Sequence, residues 1–393
     1  MSHFKRRSTA IHAGRAITLG LAVWASAPLI PAGADARAGD TARAEVYAKV
    51  GGGVGGITYM PDGRMIIGYH PFYSPEIKVG LLNATRDGTT PYPNPDWQSC
   101  KRPDGSQKDP NTCLNWVLGL HTDAKGILWL LDSGQAEPRI TPKLVGWNTR
   151  LNRLERLINI PAPASIPESQ HNDFVVDPKH NVIVIADEAI ATGPVGDKAA
   201  LVVVDLATGQ SRRLLQGHDS VMPDMTRPIT VDEGTPNAKA IKVYVGVDGI
   251  ALDRQSEWLY FAPLNKGKMF RIRMADLLND ALSAEQLGAK VQTYADKPNN
   301  GGLTIDARNN LYLTEVGERA IGIIPADTQK YRRFAADKDM VWPDGVTYSP
   351  DGYMYSGAAQ LPLSAPLNDG KAANKAPYLV YRFKPLAPGN PGF

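Results

Sequence analysis

The sequence has 393 residues, 43% hydrophobic and 21% charged, with 37 Gly and 31 Pro, an ordinary globular balance enriched in turn formers. Beyond the N-terminal segment no apolar run reaches the ~18 residues that span a bilayer, and the formal net charge of +3 resides in that segment alone. The remainder is neutral, so composition argues against a nucleic-acid partner and against an anionic membrane surface.

Residues 1–36 read as a secretory signal peptide. Lys5, Arg6, Arg7 and Arg15 form a basic start, Ala16 to Ile30 is apolar, and Ala34-Asp35-Ala36 supplies small residues for cleavage. Those four cations and Asp35 account for the whole formal charge. A surface helix is the alternative. The Arg6-Arg7 pair hints at twin-arginine export, but the residues after it fit that pattern poorly. The mature chain, 37–393, is expected to be secreted or periplasmic and to form one domain.

Beyond the leader one pattern recurs: a polar or small residue, usually a Gly, an apolar residue, an alternating strand, a turn and a second strand. The first copy is Gly55-Gly56-Ile57-Thr58-Tyr59, turning at Pro61-Asp62-Gly63 into Met65-Ile66-Ile67. A Pro-rich stretch then carries both cysteines, Cys100 and Cys113. In an oxidising compartment an even pair reads as a disulfide, worth about 3 kcal/mol for such a loop in the chain-entropy account. A metal or redox pair would want closer spacing or nearby His. The second copy runs Leu118-Gly119-Leu120-His121 into Leu128-Trp129-Leu130, and the third Asn172-Asp173-Phe174-Val175 into Val182-Ile183-Val184. Further strands are expected at Ala200 to Leu206 and Lys242 to Val245. The fourth copy, Asp248-Gly249-Ile250-Ala251, leads to Trp258-Leu259-Tyr260-Phe261, and a helix is expected within Met274 to Leu287. Gly301-Gly302-Leu303 and Asp344-Gly345-Val346 open the fifth and sixth copies.

Asp-Gly and Asn-rich turns between alternating runs signal hairpins. A hairpin cannot bury both faces alone, and units of roughly fifty residues match four-stranded blades. The sequence therefore predicts an all-β, six-bladed β-propeller. A β-sandwich or a string of smaller β domains is disfavoured by copies spread through the whole mature chain.

Asp248 to Leu264, closing Trp258-Leu259-Tyr260-Phe261-Ala262-Pro263-Leu264, resembles the major royal jelly/Yellow protein family. Leu118 to Gly134, with its Leu128-Trp129-Leu130-Leu131-Asp132-Ser133-Gly134 close and a cysteine just upstream, resembles it too. The likeness runs from Glu45 to Pro385. It implies a secreted six-bladed propeller with a small aromatic or amine ligand in its central channel, and an isomerase activity of the L-dopachrome tautomerase type. More distantly the chain is similar to the gluconolactonase–regucalcin propellers, which hydrolyse sugar lactones with a divalent metal. Asn172-Asp173 resembles their substrate-contacting Asn-Asp. Asp248-Gly249 and Gly301-Gly302, preceded by Asn299-Asn300, stand where they carry metal-binding pairs, while their first-blade Glu has no match near Glu45 to Gly56. A lactone hydrolase using a cation such as Ca2+ is thus the alternative reading.

The first residue of each copy starts the innermost strand, giving the column Gly55, Leu118, Asn172, Asp248, Gly301 and Asp344, with Asn300 just before Gly301. Asp248 and Asp344 are the expected catalytic residues, and Asn172, Asn300 and His171 the expected ligand-binding ones. Asp248, Asp344 and Asn300 are also candidate donors to a hard cation. The same carboxylates suit a ligand's amine or hydroxyl, or acid–base work if desolvation raises one pKa. Asp or Asn before Gly also forms ordinary turns. His171 reads more readily as an exposed loop residue, Glu188 and Glu315 as solvated strand ends, and the Trp and Tyr residues as inter-blade core. No phosphate loop, dinucleotide fingerprint, Gly-x-Ser-x-Gly elbow or His-Glu-x-x-His occurs, which sets aside nicotinamide and zinc chemistry.

Overall fold

Many strands of this protein are apolar on both faces, and the architecture follows from that. Val182–Asp187 sends Val182, Val184 and Ala186 into one hydrophobic cluster and Ile183 and Ile185 into another. Its neighbour Ala200–Asp205 alternates in the same way, Leu201 and Val203 against Val202 and Val204. A sheet buried on both faces needs a layer on each side, and repetition about an axis supplies both.

The computed structural model describes residues 42–232 and 238–389, which belong to one compact unit, Gly39–Phe393. The expected leader, residues 1–36, lies outside them. Six antiparallel sheets of four strands form the blades of a propeller. Their inner strands are Val54–Tyr59, Val117–Thr122, His171–Asp177, Val247–Leu252, Leu303–Ile305 and Pro343–Tyr348, so each copy of the repeat opens one blade. Hydrophobic clusters fill the spaces between neighbouring blades. Ile66 and Val79 of the first blade meet Leu128 and Val145 of the second, and Tyr355 and Val380 of the sixth meet Ile57 and Ile67 of the first.

The ring is closed by a strand that precedes the first repeat. Glu45–Val50 pairs antiparallel with Tyr378–Phe383, Val50 opposite Tyr378 and Ala48 opposite Val380, and becomes the outermost strand of the sixth blade. The first and last strands of the described residues thus share one sheet. An added ribbon, Ile229–Val231 with Lys239–Ile241, joins Val245, Leu264, Trp342 and Leu361 in a further apolar cluster.

Two local expectations change. The helix expected within Met274 to Leu287 is two short helices, Met274–Leu277 and Ala284–Gly288, the second started by a capping box between Ser283 and Gln286. The strand expected at Lys242 to Val245 falls instead at Lys239–Ile241. The Val245 amide is taken by the Asn265 side chain at 2.8 Å, and Tyr244 keeps only an isolated bridge to Val195.

Cys100 and Cys113 are bonded, with Cα atoms 5.1 Å apart, in the connection between the first two blades. That connection packs Trp97 edge-on against Trp147 at 5.5 Å. Replacing both cysteines by Ser is expected to cost about 3 kcal/mol, read as a lower midpoint in urea unfolding. Val50, 2% exposed among Tyr355, Tyr378 and Val380, tests the seam. Val50→Asp buries an unpaired charge and should abolish the single cooperative melting transition, whereas Glu45→Gln, which loses a part-exposed pair with Arg382, should shift stability by less than about 1 kcal/mol.

Candidate functional site in the central channel

Inner strands aim their side chains through bulges. Register breaks between Val54 and Gly56, Val117 and Leu120, His171 and Phe174, Val247 and Gly249, and Pro343 and Val346. A bulge leaves a residue unpaired and re-aims it. Gly55, Leu118, Asn172, Asp248 and Asp344 of the expected column occupy these breaks, and all of them line one small cavity of about 30 Å3 on the channel axis. Gly301 lies beside it, where an added Cβ would sit 3.7 Å from Asp344 Oδ1.

Leu118, Asn172, Asp248 and Asp344 also line a second cavity of about 60 Å3. Its other walls include His70, Phe72, Glu188, Ile190, Ile229 and Trp342. The Asn172 amide bridges two carboxylates, donating to Asp248 Oδ1 at 2.6 Å and Glu188 Oε1 at 3.0 Å. Gln170 Nε2 holds the other Glu188 oxygen at 2.5 Å. Among the described residues the Asp344 carboxylate has no hydrogen-bond partner, although it faces both cavities.

Burial sets the electrostatics. It pushes the Asp248 carboxyl up to about 7, with the charge of Asp173 adding to the effect. Burial raises Asp344 well above the carboxylate range, reinforced by Asp248 and Asp173, and raises Glu188, reinforced by Asp248. Lys297 is a nearby buried amine whose pKa burial lowers well below the usual lysine range, and its Nζ donates to the carbonyl oxygens of Pro263, Lys266 and Pro298 at 2.9, 2.7 and 3.2 Å. Burial also lowers His70 to about 3, so its ring is neutral. Because His70 Nδ1 accepts from the Phe72 amide at 3.2 Å, the ring proton sits on Nε2. Beside the smaller cavity, His121 Nε2 meets Asp173 Oδ1 at 3.0 Å.

The remaining expected residues lie elsewhere. His171 is fully buried rather than exposed on a loop and lines neither cavity; its Nε2 meets Ser165 Oγ at 2.7 Å, and its Nδ1 lies 3.7 Å from Asp187. His171 Nδ1 makes no hydrogen bond among the described residues, while Asp187 accepts from Arg213, Ser169 and the Gln170 amide. The network fixes Gln170, which in turn orients Glu188. Asn300 is buried and donates to Gly301 O at 2.8 Å, its Oδ1 unpartnered and its side chain outside both cavity walls.

Glu188 and Glu315 are 4% and 1% exposed, not solvated strand ends. Glu315 pairs with Arg333; Glu188 faces the channel. The missed signal is a second column, the residue just past each second strand. His70, Ser133, Glu188, Leu264, Val316 and Ala359 hold that place, and His70, Glu188 and Leu264 line the larger cavity.

A carboxyl whose folded pKa lies above its unfolded value binds its proton more tightly in the folded state. Stability then falls as pH rises from about 4 to about 7 and stays low above. Asp248→Asn keeps the acceptor for Asn172 and removes this dependence. The melting midpoint of the variant is expected to exceed that of the parent at pH 8, with the difference shrinking towards pH 4; an equal offset at both pH values would refute the assignment.

Solved structures similar to this chain share its architecture. A luciferin-regenerating enzyme aligns with a TM-score of 0.54 at 13% identity, covering 89% of this chain and 98% of that one. A gluconolactonase from Xanthomonas campestris gives 0.53 at 10%, covering 88% and 90%, and a calcium-binding regucalcin from Agrobacterium tumefaciens 0.50 at 13%, covering 87% and 99%. At such identities they speak for the fold alone. No curated protein matches the sequence. The major royal jelly protein family model matches residues 117–364, more than half of the chain and five of its six inner strands, and the protein belongs to that family.

Proposed function

We propose that the channel binds the ammonium group of a small organic amine and that Asp248 and Asp344 carry its chemistry. The observation behind this is the Asp344 carboxylate, half-buried, without a hydrogen-bond partner among the described residues and facing a cavity already lined by Asp248 and Glu188. Buried carboxylates are costly unless paired, and Lys297 is held by backbone carbonyls. An ammonium placed among them regains the missing charge pairing, and Phe72 and Trp342 add aromatic faces that favour a cation. Asn172 orients Asp248 and Glu188 towards it.

The same pair suits proton transfer. Asp248, pushed up to about 7, can take or give a proton near neutrality, and Asp344 stands ready as the second group. That is the work of an isomerase of the L-dopachrome tautomerase type. The ligand reaches a mature, exported protein in this reading.

A divalent cation, as a lactone hydrolase would need, is less well served. Among the described residues no three His, Cys, Asp or Glu side chains group as a metal shell, and Asn300 lines neither cavity. The residues therefore do not fit a cation held by Asp248, Asp344 and Asn300 together.

Calorimetric titration with methylammonium and with a neutral lactone separates the readings. Amine affinity should rise with pH through about 7 as Asp248 ionises, and Asp344→Asn should weaken it tenfold or more, about 1.5–3 kcal/mol for a charge-assisted contact. A chelator should leave it unchanged. Lactone binding that chelator abolishes, with no amine binding, would overturn the proposal in favour of the hydrolase.

A further inference from the structure

Asp248 and Asp344 face two cavities of opposite character. In the larger one they meet Ile229, Val245, Leu264, Trp342 and Leu361, all members of one apolar cluster. The smaller one carries four titratable side chains on its wall, Asp248, Asp344, Asp173 and His121. Asp173 and His121 keep 19% and 13% of their side-chain surface exposed, whereas Asp248, Glu188 and His70 are buried. The smaller cavity thus has polar side chains that touch solvent as well as the channel acids.

The His121 ring is held from two sides. Its Nε2 lies 3.0 Å from Asp173 Oδ1, an oxygen that also accepts from the Phe174 amide at 2.8 Å, and the imidazole stands edge-on to the Phe174 ring at 4.9 Å. With the ring proton on Nε2 and donated to the carboxylate, Nδ1 is the basic nitrogen, and it is buried without a hydrogen-bond partner among the described residues. An imidazole oriented in this way by a carboxylate takes up and gives up protons near neutrality. The cavity, about 30 Å3, exceeds the ~10–15 Å3 that a water molecule requires, and the polar groups on its wall supply the two to four partners, roughly, that such a water needs.

We propose that the smaller cavity is a proton path, in which a water links the carboxyls of Asp248 and Asp344 to the His121–Asp173 pair and that pair exchanges protons with bulk solvent. This rests on the reading of Asp248 and Asp344 as proton-transfer groups and holds whichever ligand occupies the larger cavity. A proton leaving the Asp248 carboxyl reaches His121 Nδ1 through the water. The Nε2 proton then passes to Asp173 and from its exposed edge to bulk. The reverse passage restores every group, as a tautomerisation requires, since it releases one proton and regains one. A ligand seated in the larger cavity closes the acids off from that side, and the path keeps them in exchange from the other. His121 acts through water and the acids, so it is a relay residue and not a catalytic one.

Infrared spectroscopy of the unliganded protein tests the path. The protonated-carboxyl band should contain a component that titrates near neutrality and is lost in Asp248→Asn. After a temperature-induced pH jump, relaxation of that component should slow at least tenfold in His121→Ala with its titration midpoint unmoved, and imidazole added to the solution should restore the rate. Asp173→Asn keeps an acceptor for the Phe174 amide; it should also slow the relaxation and move the midpoint down, because a repelling charge is gone. It serves even if His121→Ala does not fold. An unchanged rate in the variants, or a slowed His121→Ala that imidazole leaves slow, would overturn the relay alone. Absence of any component that Asp248→Asn removes would overturn the proton-transfer reading and the relay with it.

Discussion

Around the axis the inner strands approach so closely that the residue after the bulge has almost no room for a side chain. A Cβ on Gly119 would lie 2.6 Å from the carbonyl oxygen of Asn172, and one on Gly249 2.7 Å from that of Gly301. Gly302 stands in the same relation to Asp344 O at 2.8 Å, and Gly345 to Gly55 O at 2.9 Å. Each carbonyl belongs to the first residue of the next blade's repeat, so the ring is joined backbone to backbone at its centre. That contact keeps the channel narrow and gathers the column of first residues at one level. The third blade departs from it with Asp173. Between the third and fourth blades the contact is carried by side chains, the Asn172 amide reaching Asp248, and Asp173 extends to His121 of the second blade.

A narrow channel with apolar blade interfaces around it also explains the charge state of the acids. The same burial that raises Asp248, Asp344 and Glu188 comes from the packing that makes the blades stable. The structure accommodates this strain by sharing one amide between two carboxylates and by keeping Lys297 within electrostatic reach of Asp248. Such an arrangement lowers stability at neutral pH, and sites of function are where proteins retain such costs.

The architecture was legible because hairpins repeat: the turn residues and alternating runs mark every blade, and each inner strand begins within a few residues of its expected place. The column of first residues was legible for the same reason. The closing strand Glu45–Val50 was not, since it carries no repeat of its own and its partner lies more than three hundred residues away, Val50 opposite Tyr378. Glu188 was hidden because an acid after a strand usually meets water, whereas here it shares a cavity wall with Ile229, Val245 and Trp342 of an apolar cluster. His171 shows the reverse: one residue from Asn172 in sequence, it faces the opposite side of a bulged strand, where Ser165 and Asp187 receive it.

The polar residues that line the larger cavity come mostly from two places in a blade, the inner bulge and the residue past the second strand. The second and fifth blades contribute only Leu118 and Ser133, and Gly301 and Val316, while the third, fourth and sixth supply Asn172, Glu188, Asp248 and Asp344. The asymmetry leaves the inter-blade clusters untouched, because those draw on other positions along the same strands. A propeller can therefore exchange one set of channel residues for another without rebuilding its core. Family membership then fixes the frame, and the proposal of a cationic ligand rests on the acids around Asp344, which has no hydrogen-bond partner among the described residues, and on the neutral His70 beside them.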